Sequence, residues 1–133
     1  MNATAPSVTL FALGGTIAAP VDRDGSGARM TMTADDMVGD LAARAGVAVR
    51  AHTFRQLPSA SLGFADLLEL ATAIEEAVTG GTCGIVVTVG TDALEEVAFL
   101  LDLRYGGEAP VVVTGAMRNA GVPGADGPAN LLA

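Results

Sequence analysis

The chain has 133 residues, 50% of them hydrophobic, and a net charge of −8 at neutral pH. That length fits one domain with room for a real core, and the acidic balance argues against binding nucleic-acid backbones or anionic membranes. All seven basic residues are arginine, which excludes a P-loop and lysine Schiff-base chemistry, and the single cysteine, Cys83, excludes an internal disulfide and a cysteine-built zinc site.

Met1 to Pro6 carries no basic residue and the apolar run after it is short, so no secretion signal is expected. No apolar run reaches the roughly 18 residues of a membrane span, and a soluble, cytoplasmic protein is expected. Residues 7–13 form a first apolar strand that ends at Gly14-Gly15. Residues 19–30, rich in Asp, Gly and Ser, read as a loop. Thr33 with Asp36 three residues on resembles a capping box and opens a helix expected to run to Ala45 and stop at Gly46. Residues 47–54 alternate partly and suit a second strand, with His52 packed inside it. A loop with Pro58, Ser59 and Ser61 follows. Leu67, Leu68, Leu70, Ala71, Ile74 and Ala77 then recur at helical spacing until Gly80-Gly81, and Glu75-Glu76 reads as a solvated face. Residues 83–89 form a third strand, with Cys83 as a small buried residue at its start. Asp92 to Arg104 reads as a helix with Leu94, Val97, Ala98 and Leu101 on one face, and Glu95-Glu96 in solvent. Residues 110–115 form a fourth strand, and Gly127-Pro128 starts another helix with proline in its first turn.

Strands and helices alternate, and the third and fourth strands are continuous valine-rich runs, as expected of strands covered on both faces. The fold class is therefore α/β: a doubly wound, mainly parallel sheet with helices on both faces. The last helix is barely one turn long at Ala133, so the chain is expected to be a fragment of something longer.

Two strand ends carry the chemistry. The first strand runs into Leu13-Gly14-Gly15-Thr16-Ile17-Ala18, and the third into Thr88-Val89-Gly90-Thr91-Asp92. Ligands bind at the carboxyl ends of strands in an open parallel sheet. A threonine hydroxyl beside a Thr-Asp pair has the makings of a nucleophile for an amide or ester carbonyl, with N–H groups of the Gly15 and Gly90 turns to hold the oxyanion. Asp92 suits a substrate ammonium equally well. It also suits a plain helix N-cap, and Thr16 and Thr91 suit ordinary loop positions. No base is evident: His52 is the only histidine and sits inside a strand. A dinucleotide site is excluded, because the glycines read Gly-Gly-Thr and a long loop follows.

Gly14-Gly15-Thr16-Ile17-Ala18, Gly90-Thr91-Asp92 with Glu95-Glu96, and Thr114-Gly115-Ala116-Met117-Arg118 with Ala125-Asp126-Gly127-Pro128-Ala129-Asn130-Leu131 occur in order over almost the whole chain. Together they resemble the bacterial-type L-asparaginase family. The resemblance implies hydrolysis of L-asparagine to L-aspartate and ammonia, often with some activity on L-glutamine, and no metal or organic cofactor. It makes Thr16 the nucleophile, and Thr91 and Asp92 part of a Thr-Lys-Asp group in which the aspartate also holds the substrate's α-amino group. Ser59 matches a serine on the substrate carboxylate. Ala116 falls where a backbone carbonyl meets the side-chain amide, and Met117 and Arg118 are structural. The resemblance further implies a large N-terminal domain, of which this chain is a part, a smaller C-terminal domain, and active sites between subunits of a homo-oligomer (a dimer or tetramer).

Three positions depart from the family pattern. The lysine of the group would lie downstream of Asn130, outside these residues. The tyrosine that many members carry in the first loop is absent; Arg29 or Met30 stands near its place, and Tyr105 lies on the other side of the fold. Val89 stands where a polar residue is usual, which is expected to alter the pocket. Two alternatives remain open: a glutaminase or tRNA-amidotransferase relative using the same site, and a non-catalytic α/β binding module.

Overall fold

The computed structural model describes residues 6–133; the leader expectation on Met1 to Pro6 lies almost wholly outside them. Four strands, β1 (Ser7–Gly14), β2 (Ala48–Leu57), β3 (Gly84–Thr88) and β4 (Val111–Thr114), form one sheet in the order β2-β1-β3-β4. Every pairing is parallel. Five helices accompany them: α1 (Ala34–Val38), α2 (Leu41–Ala45), α3 (Phe64–Thr79), α4 (Leu94–Arg104) and α5 (Gly127–Leu132).

β1 is central, and this explains its uninterrupted apolar run. Phe11 and Leu13 point to one face, into a core with Leu67, Leu70 and Ile74 of α3 and Val97 and Leu101 of α4. Leu10 and Ala12 point to the other, with Ile17, Ala34, Met37 and Ala116. Helices thus cover both faces, as the alternating pattern predicts. β1 leads through α1 and α2 to β2 on one side. α3 then crosses to β3 on the other side of β1, and the winding continues outward to β4. The strand order reverses between β1 and β3, and a crevice opens there at the carboxyl ends.

The helix expected over residues 33–45 is in fact two. Thr33 does cap α1: its Oγ1 accepts from the Asp36 N–H at 3.2 Å, and Asp36 Oδ2 accepts from the Thr33 N–H at 2.8 Å. The chain then breaks at Gly39-Asp40, and α2 restarts and ends at Gly46 in the left-handed region. Thr33→Ala should lower stability by about 1 kcal/mol, read as a shift in the urea midpoint at unchanged slope.

Edge positions correct four further expectations. β2 extends to Leu57, and His52 is exposed on this edge strand, although its ring stacks on Phe11 at 5.3 Å. Cys83 is exposed, not buried, and its thiol donates to the Ser7 carbonyl at 3.0 Å. Leu68 is exposed on the outer side of α3. β4 is an edge among the described residues, and Val112 is 55% exposed, so only β3 and β1 have two covered faces. Arg55, whose guanidinium lies 4.6 Å over Phe54, donates from Nε to Asp66 at 2.8 Å and ties the β2 edge to α3.

Candidate active site

The crevice at the reversal point holds a cavity of about 200 Å³ lined by Gly15, Thr16, Ala19, Ala28, Met30, Pro58, Ser59, Gly90, Thr91 and Asp92. Drug-sized pockets run to roughly 300–1,000 Å³, so this one suits a small metabolite. Apolar hollows of similar size lie beside α2 and α5 and between α1 and α5, away from these hydroxyls. Polar convergence, not volume, makes the crevice the candidate.

The two glycine turns interlock. β1 ends at Gly14, and Gly15 takes φ +82°, a conformation that L side chains rarely adopt. A Cβ on Gly15 would collide with the N and Cα of Gly90. A Cβ on Gly90 would lie 2.6 Å from Ser59 Oγ and 3.4 Å from Gly15 Cα. The segments after β1 and β3 therefore meet backbone to backbone, and the Ser59 side chain from the segment after β2 packs directly on Gly90. Each of the three segments winds into a short 3-10 turn: Thr16–Ala18, Ser59–Ser61 and Thr91–Ala93. This close approach brings Thr16, Ser59, Thr91 and Asp92 to one cavity.

Their burial differs. Ser59 is 4% exposed, Thr16 half-buried, and Thr91 and Asp92 exposed. Among the described residues, Asp92 is the only ionisable side chain on the cavity wall. The N-cap alternative for Asp92 is not what forms: Ala93 occupies the cap of α4, with no side-chain cap bond. Val89, expected to alter the pocket, is 1% exposed and belongs to the core with Phe11 and Leu13. Ala116 is also absent from the wall; its side chain is buried against Leu10, Ala12 and Ile17. Tyr105 closes the far end of α4, and its hydroxyl is buried without a hydrogen-bond partner.

Two features of the site escaped the sequence. The first is the contact made by Met30, which the sequence placed only near the missing first-loop tyrosine: its sulfur accepts from the Gly15 N–H at 3.2 Å and its side chain walls the cavity. The second is the bracing of the segment after β4. Asp126 accepts from the Met117 and Arg118 N–H groups, each at 2.9 Å. Asn130 donates to the Gly115 carbonyl at 2.9 Å and to Asp126 at 3.1 Å. Gly115 in turn lies against Val89 and Thr91, so α5 supports the Thr91 turn through one layer of backbone. Asn119 donates to the Ala19 carbonyl at 3.0 Å and joins this segment to the first loop.

The N–H groups of Met117 and then Arg118 hold the Asp126 carboxyl below its ordinary value of 3.8. A depressed folded-state pKa makes the contribution to stability complete above the unfolded value and lost as pH falls through the folded one. The stability gap between wild type and Asp126→Asn should therefore be full well above pH 3.8 and should narrow as the pH falls below that value. Urea midpoints across that range check it; a gap that stays constant contradicts the role of the charge.

Among the described residues no group of three or more His, Cys, Asp or Glu side chains could hold a metal ion, and no helix is long and apolar enough to cross a membrane.

Comparison with known proteins follows the same line. Residues 7–133 match the family model described as "Asparaginase, N-terminal". The chain is 42% identical over 132 residues to a probable L-asparaginase of Deinococcus radiodurans, covering 99% of this chain and 39% of that protein. It is 38% identical over 125 residues to an L-asparaginase of Bacillus licheniformis, covering 93% of this chain and 39% of the relative. A crystal structure of a probable cytoplasmic L-asparaginase from Campylobacter jejuni superposes with a TM-score of 0.78 at 30% identity, over 95% of this chain and 37% of that one. The chain thus spans about two fifths of the length of the relatives it matches.

Proposed function

This chain belongs to the asparaginase family, in whose N-terminal region it lies, and on that premise we propose that it carries the nucleophile half of an amidohydrolase site for L-asparagine. The observation that supports the reading is the meeting of Thr16, Ser59, Thr91 and Asp92 in one small cavity with a single negative charge. The Asp92 carboxylate takes the substrate's ammonium. The Ser59 hydroxyl, held against Gly90, takes its carboxylate. The side-chain amide then reaches Thr16.

The Thr16 hydroxyl attacks the amide carbon and loses its proton to a base; the oxyanion forms against N–H groups of the Gly90-Thr91 turn. The C–N bond breaks as that proton passes to the nitrogen, which leaves as ammonia. Water, giving a proton to the same base, then attacks the acyl-threonine and releases aspartate as the proton returns to the Thr16 oxygen. Asp92 is engaged by the ammonium and His52 lies out on the β2 edge, so the base comes from outside these residues. The isolated 133 residues should release no ammonia from L-asparagine. Turnover by them would show that Asp92 itself is the base. A homo-oligomer in which a neighbouring subunit completes the exposed Thr91–Asp92 wall follows from the same reading. A cytoplasmic location is supported by the resemblance to the Campylobacter protein.

The substrate assignment is tested by ammonia release from L-asparagine, L-glutamine and succinamic acid, which lacks the amine, on the full-length protein. L-Asparagine should be preferred, and succinamic acid should lose about 10²-fold or more in kcat/KM with the Asp92 ion pair gone. Equal rates on asparagine and succinamic acid would overturn the ammonium role. The net charge of −8 gives no footing for a tRNA-bound substrate.

A further inference from the structure

We propose that Met30 is a positioning residue for Thr16, acting through the backbone N–H of Gly15. The role rests on the amidohydrolase reading, but the contact itself does not. Gly15 is buried, and a buried N–H needs a partner. Its hydrogen is neither in the β1–β2 ladder, which ends at Gly14↔Leu57, nor in the β1–β3 ladder, which ends at Ala12↔Thr88. It is donated to the Met30 sulfur at 3.2 Å. A thioether is a weak acceptor, but here it is seated by its own loop: the Met32 N–H donates to the Ala18 carbonyl at 3.1 Å and the Arg29 N–H to the Pro20 carbonyl at 3.3 Å. The first loop therefore closes back on the turn that carries Thr16 from both sides, at Gly15 and at Ala18.

Two consequences follow for the reaction. The Gly15 N–H is committed to sulfur, so it is not available to an oxyanion in the cavity. The uncharged side chain of Met30 also lines the cavity with Thr16 and introduces no competing charge there. Met30 touches the turn and not the reacting atoms, so its effect should fall on the orientation of the hydroxyl and hence on kcat.

Met30→Leu conserves volume and removes the acceptor. In amide hydrogen exchange by NMR, Gly15 should exchange about five- to tenfold faster in this variant. Met32→Leu, a neighbouring methionine whose sulfur takes no part in the contact, should leave Gly15 unchanged. Selenomethionine at position 30 should restore protection. In the full-length protein Met30→Leu should lower kcat about five- to tenfold with KM within about twofold. Unchanged Gly15 exchange in Met30→Leu, or an equal effect from Met32→Leu, overturns the contact. Faster exchange with unaltered kcat overturns the positioning role. Exchange is read without substrate, so loss of the contact and failure of the amidohydrolase assignment give different results.

Discussion

Thr16→Ala in the full-length protein should reduce ammonia release from L-asparagine by at least about 10³-fold in kcat, with KM changed little. The size follows from the role: no other hydroxyl can take over without moving a turn. Ser59 is 4% exposed and packed on Gly90, and Thr91 leaves from a different strand end. The loss corresponds to about 4 kcal/mol of transition-state stabilisation. KM should hold because the proposed ammonium and carboxylate contacts lie on Asp92 and Ser59. Thr16→Ser should retain a measurable fraction, since it keeps the hydroxyl and loses only the methyl that restricts its rotamers. Steady-state ammonia assays on the two variants check both statements. If Thr16→Ala retained a tenth of the activity and Thr91→Ala abolished it, the nucleophile would be on the other strand end.

Gly15→Ala should be among the most damaging single methyls in the described residues, alongside Gly14→Ala, whose Cβ would meet the Leu57 backbone. Gly15→Ala places a Cβ at φ +82° and drives it into the Gly90 N and Cα, backbone atoms that cannot swing aside. Strain and overpacking add, and a loss of about 3–5 kcal/mol is expected, or a fall in Tm of roughly 10–20 °C. Gly25→Ala separates the two causes. Gly25 also has positive φ, at +72°, but nothing lies within 4 Å of its would-be Cβ. It should cost only about 1–2 kcal/mol. Gly90→Ala meets Ser59 Oγ at 2.6 Å and Cβ at 3.0 Å without unfavourable φ, so Ser59→Gly should rescue part of its loss. Thermal melts of these variants decide the matter. Equal losses for Gly15→Ala and Gly25→Ala would mean that backbone conformation, and not the contact of the two turns, governs.

The parts legible in the sequence are those set by local chemistry and by complete burial. β1 and β3 are buried on both faces, so their apolar runs are unbroken and their ends are marked by glycine. Thr16 and Thr91 follow those glycines, which is why both were identifiable before any contact was known. The Thr33–Asp36 cap is likewise a four-residue matter. What failed depended on the position of an element in the sheet. His52 and Cys83 looked like interior residues because strands usually bury them; the sheet order puts one on an edge and the other just before β3 begins. The helical pattern continues past Gly39, and this hid a local stop: Gly39 takes φ +43° and caps α1. Val89 follows Val87 by two residues and shares its inward direction, so a change of polarity there is a core change and not a pocket change. The bond from Gly15 to Met30 joins residues fifteen apart through an acceptor type that no pattern encodes. It is visible only in three dimensions.

The central claim is that the crevice between the ends of β1 and β3 recognises the α-amino-acid end of an amide substrate. Chemical-shift mapping of L-aspartate, the product, onto this chain tests it most directly. The perturbed amides should cluster at Gly15, Thr16, Ser59, Gly90, Thr91 and Asp92, and Asp92→Ala should abolish the response while D-lactate, which lacks the amine, gives none. Perturbations centred on the apolar hollow between α2 and α5, or a response unchanged by Asp92→Ala, would contradict it.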